Sequence, residues 1–201
     1  MTEYRIIDDF ATDAESLRRL LDSLPQWRRE AALKFRHEQG QRECALSYNL
    51  LSEMLGFQPE FRIAEHGKPY VKMPLCDEMI YFNLSHCRKA VACAVSDNEV
   101  GIDVECIGRY GERLARYCMC DEEMQRIQES ADPDAEFTML WTRKEALLKL
   151  TGEGINDDMK TCLSSERLNG IVIDCGLNKE KGYAWSVAYR EKDSNQEVND
   201  I

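Results

Sequence analysis

An α+β protein of two similar lobes is the expectation from this sequence, and three observations lead to it. Helical and strand patterns alternate in blocks, in the order helices, strands, helices, strands. Two β-rich segments with similar patterns, AVACAVS (90–96) and AWSVAY (184–189), fall late in the two halves. The 201 residues also suit two lobes of about a hundred residues each, the first over 1–98 and the second over 99–201.

The elements follow in order. Thr12-Asp13-Ala14-Glu15 reads as a capping box opening a short helix, Ser16 to Leu21, that ends before Pro25. Arg28 to Phe35 is a second helical stretch, made basic by Arg28, Arg29 and Lys34. Cys44, Tyr48, Leu51 and Leu55 recur at helical spacing before Gly56 stops a third helix. FRIAEHGKPYV (61–71) reads as a strand broken by a turn at Gly67-Lys68-Pro69. YFNLSH (81–86) opens the β-rich middle. AVACAVS and EVGIDVE (99–105) flank Asp97-Asn98 and read as a hairpin. Asp121 caps a helix running to about Ser130, SADPDAE (130–136) is a polar loop, and Phe137 to Leu150 is a long helix. IVIDCGL (171–177) and YAWSVAY (183–189) form a second hairpin around Lys181-Gly182, followed by a frayed tail, EKDSNQEVNDI.

Composition restricts function. A formal net charge of −11 argues against a nucleic-acid binder, which carries a basic face. No apolar run reaches the length of a membrane span, and the acidic N-terminus is no signal peptide. Nine cysteines without a C-x-x-C pair predict reduced thiols in a cytoplasmic protein. The expected partner is a small molecule or another protein, with no nucleic acid and no membrane.

Chemistry is suggested first by GIDVE, Gly101 to Glu105. On a strand, Ile102 and Val104 point one way while Gly101, Asp103 and Glu105 point the other. Two carboxylates then share a face beside a position with no side chain, which leaves room for a ligand. Oxygen donors without a neighbouring His or Cys suit Mg²⁺ or Mn²⁺ better than zinc. The competing reading is a half-solvated strand with an acidic outer face. The second candidate stretch is FTMLWTRKEALLKL (137–150). Phe137, Leu140, Leu147 and Leu148 make its buried stripe, and Lys144 falls within that stripe, where an amine needs water or an anion. Trp141, Glu145 and Lys149 are spaced by four along one edge. A third carboxylate flanked by two amines would complete a site for a divalent ion and a pyrophosphate; the competing reading is a Glu145–Lys149 pair that only supports the helix. Ser85, His86 and the turn lysine Lys68 suit an anion, and Glu122 stands in the first turn of its helix.

Taken together, GKP (67–69), FNLSHC (82–87), GIDVE (101–105) and WTRKEALLK (141–149) resemble the 4′-phosphopantetheinyl transferases of the surfactin-synthetase-activating type, over about residues 28 to 155. Cys87 replaces a serine of that family's pattern, and Cys118-Met119-Cys120 replaces an aromatic-Ser/Thr stretch. The resemblance implies the phosphopantetheinyl transferase fold, with the two lobes related by a pseudo-two-fold axis. It also implies transfer of the phosphopantetheine arm of coenzyme A to a serine of an apo acyl, polyketide or peptidyl carrier protein, releasing adenosine 3′,5′-bisphosphate. Carried over residue by residue, Asp103, Glu105 and Glu145 would hold the Mg²⁺. Lys149 and Lys144 would neutralise phosphate charge, and Glu145 or Glu122 would accept the serine proton. Lys68, Ser85 and His86, helped by Arg28 and Arg42, would bind the 3′-phosphate end of the nucleotide. The first lobe would thus supply nucleotide contacts and the second the metal and catalytic residues, in a monomer. The carrier would dock on an apolar or locally basic surface such as RYGERLAR (109–116). Two alternatives are a carrier-binding module without activity and a Mg²⁺-dependent nuclease.

Overall fold

In the computed structural model residues 1–64, 68–74, 76, 78–155 and 157–191 are described. Gly67 of the expected turn and the tail after Glu191 lie outside them. The chain runs β1 (Thr2–Ile7), α1 (Ala14–Asp22), α2 (Gln26–Leu33), α3 (Glu38–Leu55), β2 (Arg62–Ile63), β3 (Pro69–Lys72), β4 (Met79–Cys87), β5 (Ala90–Ser96) and β6 (Val100–Cys106). It continues as α4 (Glu112–Cys118), α5 (Asp121–Glu129), α6 (Pro133–Thr151), a 3₁₀ turn (Asp157–Thr161), β7 (Ile171–Asn178) and β8 (Tyr183–Arg190). The class is α+β, as expected.

Two antiparallel sheets carry the fold, one ordered β1-β5-β4-β3-β2 and the other β6-β8-β7. The expected hairpin of β5 with β6 does not form. Both edges of β5 are already taken, by β1 and β4, so no ladder position remains for β6. The chain at Asp97-Asn98 crosses instead from one sheet to the other. The hairpin of β7 and β8 is present, and β8 is the strand that pairs with β6.

Strand alternation explains the layering. On β5, Val91, Cys93 and Val95 pack against Leu46, Leu50 and Leu51 of α3. Ala90, Ala92 and Ala94 face the other way, onto Ile102, Val104 and Val187 of the second sheet. Alanines let two sheets approach closely. The far face of the second sheet is covered by α6, whose Leu140, Leu147 and Leu150 pack near Ala188, Ile171 and Ile173. The order is therefore helices, sheet, sheet, helix. β6 is consequently buried on both faces and is not the half-solvated strand of the competing reading.

Helix ends follow local chemistry. Asp13, rather than Thr12, caps α1 by accepting the Ser16 amide at 2.9 Å. Gly56 and Gly152 close α3 and α6 with left-handed φ of 76° and 77°. The polar loop expected at 130–136 shortens because Asp132 caps α6 at the Ala135 amide and Pro133 takes the first turn. Cys120 instead of Asp121 precedes α5, with its amide donating to Glu123 at 2.9 Å. Strand β1 and helix α4 were not anticipated. β1 is a polar edge strand that owes its order to β5. Among the described residues no helix is long and apolar enough to cross a membrane.

Candidate active site

Position 101 sets the geometry. A Cβ at Gly101 would stand 2.0 Å from the Ala146 carbonyl oxygen and 2.5 Å from the Leu150 amide nitrogen. The glycine therefore makes room for the backbone of α6, not for a ligand, and that part of the sequence reading is corrected. The consequence is the same juxtaposition by another route. With α6 lying directly on β6, Asp103 and Glu105 face Trp141, Glu145 and Lys149.

Lys149 Nζ donates to Asp103 Oδ1 at 2.6 Å, to the Ile102 carbonyl at 3.1 Å and to Ser85 Oγ at 3.3 Å. Ser85 Oγ donates to the same Asp103 oxygen at 2.9 Å and accepts the Val104 amide at 3.2 Å. Asp103 is buried, and its second oxygen, Oδ2, has no hydrogen-bond partner among the described residues. Burial, with Asp103 and Glu145 adding to the effect, pushes the Glu105 carboxyl up to about 7, against the opposing pull of Lys149 and a hydrogen bond from the Trp141 indole. Burial, then Asp103, likewise raises the Glu145 carboxyl. Three coupled acids thus share a single amine.

This donor set fits a hard divalent cation: all oxygen, short of positive charge, and with one buried carboxylate oxygen left over. Among the described residues, however, no three Asp, Glu, His or Cys side chains converge closely enough to hold a metal ion. Asp103 is instead turned to Lys149, as mutual repulsion of the acids would dictate.

The remaining expected residues separate from this cluster. Lys144 is completely buried on another face of α6, where its Nζ meets Glu123 Oε2 at 2.8 Å and donates to the Met159 carbonyl at 2.7 Å. The structure does not bring it to the carboxylates. Glu122 stands exposed at the start of α5, its carboxyl held below the usual range first by the Cys120 thiol and then by its own amide. It lines a cavity of about 490 Å³ with Arg126, Leu140 and Arg143, apart from Glu105 and Trp141. The structure does not bring it to the carboxylate cluster. Arg42 is 2% exposed and spends its guanidinium on the Ala11, Thr12 and Asp13 carbonyls and on Ser16 Oγ, at 2.9 to 3.0 Å. It anchors the loop before α1. Arg28 donates to the Cys44 carbonyl at 3.2 Å and lies over the Tyr48 and Phe61 rings. His86 Nδ1 lies 3.2 Å from Glu43 Oε2. Lys68 is buried, has no hydrogen-bond partner for Nζ among the described residues, and its pKa is lowered by burial. Of the expected nucleotide residues it is the one whose charge most lacks a counterpart.

Two side chains were missed as site residues. Asn83 Oδ1 accepts the Ile102 amide at 3.0 Å, so Asn83 and Ser85 together stitch β4 to the strand bearing the acids. Their N-x-S spacing is the same period-two signal that singled out Asp103 and Glu105. Trp141 had been placed only at the margin of the helix stripe. It lines, with Glu105, Arg109, Tyr110, Leu114 and Phe137, a cavity of about 310 Å³ between the acids and α4.

Residues 99–196 match the model of a family described as the 4′-phosphopantetheinyl transferase superfamily. The 4′-phosphopantetheinyl transferase gsp of Aneurinibacillus migulanus is 37% identical over 97 residues, 47% of this chain and 39% of that protein. The 4′-phosphopantetheinyl transferase psf-1 of Bacillus pumilus is 38% identical over 111 residues, covering 54% and 45%. A 4′-phosphopantetheinyl transferase of Bacillus subtilis is 26% identical over 166 residues, covering 78% and 72%. The chain thus spans less than half the length of the first two relatives and nearly three quarters of the third.

Proposed function

We propose that this protein, whose residues 99–196 match the model of the 4′-phosphopantetheinyl transferase superfamily, transfers the 4′-phosphopantetheine arm of coenzyme A to a serine of an apo carrier protein, with Mg²⁺ and with release of adenosine 3′,5′-bisphosphate. The observation that carries this reading is the coupling of Asp103, Glu105 and Glu145 around the one amine of Lys149. Asp103, Glu105 and Glu145 would hold the cation, which when bound supplies charge neutralisation at the pyrophosphate oxygens. Such an ion would also offset the burial, and after it the repulsion, that keep the Glu105 and Glu145 carboxyls up.

The protein's own groups divide the remaining work. Ser85 and Asn83 orient Asp103 by fixing β4 to β6. Lys149, held at Asp103, is placed to neutralise charge developing on a phosphate oxygen bound there. Glu145, raised above an ordinary glutamate, accepts the proton of the attacking serine hydroxyl. Lys68 is the first choice for a nucleotide phosphate, because a buried ammonium without a hydrogen-bond partner among the described residues gains most from an anion. The carrier would approach over α4, where Leu114 and Tyr117 are exposed beside the 310 Å³ cavity. That the acids and Lys149 come together within one chain supports a monomer as the working unit, and the reading places it in the cytoplasm.

The test is mass spectrometry of an apo carrier protein incubated with this protein, coenzyme A and Mg²⁺. The carrier should gain one phosphopantetheine arm, and the gain should vanish on chelation. An unchanged carrier across fatty-acid, polyketide and peptide-synthetase types would favour the inactive binding module.

A further inference from the structure

Side chains on one face of β4 reach β6 at a constant offset. The Asn83–Ile102 and Ser85–Val104 hydrogen bonds, at 3.0 and 3.2 Å, each join residues 19 apart in the chain. Cys87 follows Asn83 and Ser85 on that face, and Cys106 follows Ile102 and Val104 on theirs. The same offset sets Cys87 beside Cys106. Both pack in the apolar cluster between the two sheets, and both are free thiols. Burial pushes the Cys87 thiol up to about 12, and a contact with the Cys106 thiol adds to the rise. A disulfide demands Cα atoms within about 7 Å. The two flanking bridges favour this, since they hold the backbones one short side chain and one hydrogen bond apart.

We infer that Cys87 and Cys106 are a paired oxidation site, closing to a disulfide across the two sheets when a peroxide reaches the pair. Cys106 is the partly exposed member and Cys87 is only 8% exposed, so oxidation begins at Cys106. Its sulfur attacks one peroxide oxygen, the O–O bond breaks, and with hydrogen peroxide one water leaves as the sulfenic acid forms. The Cys87 sulfur then attacks the Cys106 sulfur and expels the oxygen, which departs as a second water with the Cys87 proton. Two thiols and one hydrogen peroxide thus give one disulfide and two waters. The bond would tie β4 to β6 one residue beyond His86 and Glu105. It does not depend on the transfer reaction proposed above.

Purified full-length protein is treated with hydrogen peroxide under native conditions, alkylated in denaturant, digested and mapped by mass spectrometry. The expected product is the Cys87 peptide linked to the Cys106 peptide, two hydrogens lighter than their sum and absent after dithiothreitol. Thermal unfolding of the oxidised protein should shift upward and return on reduction. Cys106→Ser should abolish both the link and the shift; should that variant not fold, Cys87→Ser serves the same purpose. Alkylation of both Cys87 and Cys106 after a treatment that oxidises the exposed Cys76 and Cys175 would overturn the assignment. So would a link from either to a different cysteine.

Discussion

Helix α6 carries two lysines that each end on a carboxylate, and the two pairs differ in what they leave over. Lys144 and Glu123 satisfy one another, with the Met159 carbonyl taking a further ammonium proton and the Cys120 amide a glutamate oxygen. Lys149 meets Asp103, but Glu105 and Glu145 stand beside that pair with raised pKa values, and Asp103 Oδ2 has no hydrogen-bond partner among the described residues. One pair is a closed account of charge; the other carries a surplus of negative charge. A closed buried pair holds structure together, whereas an open one invites a cation and the anion that comes with it.

The sharpest way to break this contrast is Asp103→Asn. Phosphopantetheine transfer to an apo carrier should fall about a thousandfold, while urea unfolding changes little. A large stability loss with activity retained would make Lys149–Asp103 another structural pair. For Lys144→Met the outcome should invert. Stripping Glu123 of its partner should cost about 3 kcal/mol in urea unfolding, and adding Glu123→Leu should restore most of it. Transfer by the folded variant should stay within a fewfold of the parent.

Gly101→Ala tests whether the open cluster depends on the approach of α6 to β6. Because the new Cβ meets backbone atoms at 2.0 and 2.5 Å, stability should drop by about 2 kcal/mol, and activity should fall with it. The smallest effect concerns Glu105. Its carboxyl titrates near 7 in the folded chain, against 4.5 as the ordinary value, so the folded state holds the proton longer. Stability is therefore lost as pH rises from about 4.5 to 7, and the full cost is present above that range. Glu105→Gln should show no gain below pH 4.5 and about 1 kcal/mol at pH 8, after allowance for partial exposure. Mg²⁺ added to the parent protein at pH 8 should raise its thermal midpoint and shrink that difference. Scanning calorimetry against pH would measure both.

Much of the site was readable in the chain. Period-two spacing placed Asp103 and Glu105 on one face, and period-four spacing aligned Trp141, Glu145 and Lys149, because both follow from backbone geometry alone. The same logic applied to Asn83 and Ser85 would have found the stitch between sheets. Periodicity does not reveal which acid a buried amine will meet. Lys144 correctly reads as an amine in need of an anion, yet that anion is Glu123, brought by the packing of α5. The family resemblance assigns Arg42 to the nucleotide, yet its guanidinium is committed to three carbonyls and the Ser16 hydroxyl. At Gly101 the sequence shows a missing side chain but not what fills the gap, which is the backbone of α6.

The sequence by itself determined most of the element types, the α+β class, the family resemblance carried by its short motifs and the pairing of acids on β6, since these depend on local spacing. Only the tertiary structure decided that β5 and β6 lie in different sheets, that α6 presses on β6 at Gly101, and that Lys144 and Lys149 serve different carboxylates. Those outcomes depend on which edges and faces other segments already occupy, and competition for a partner is settled only when the whole chain is packed.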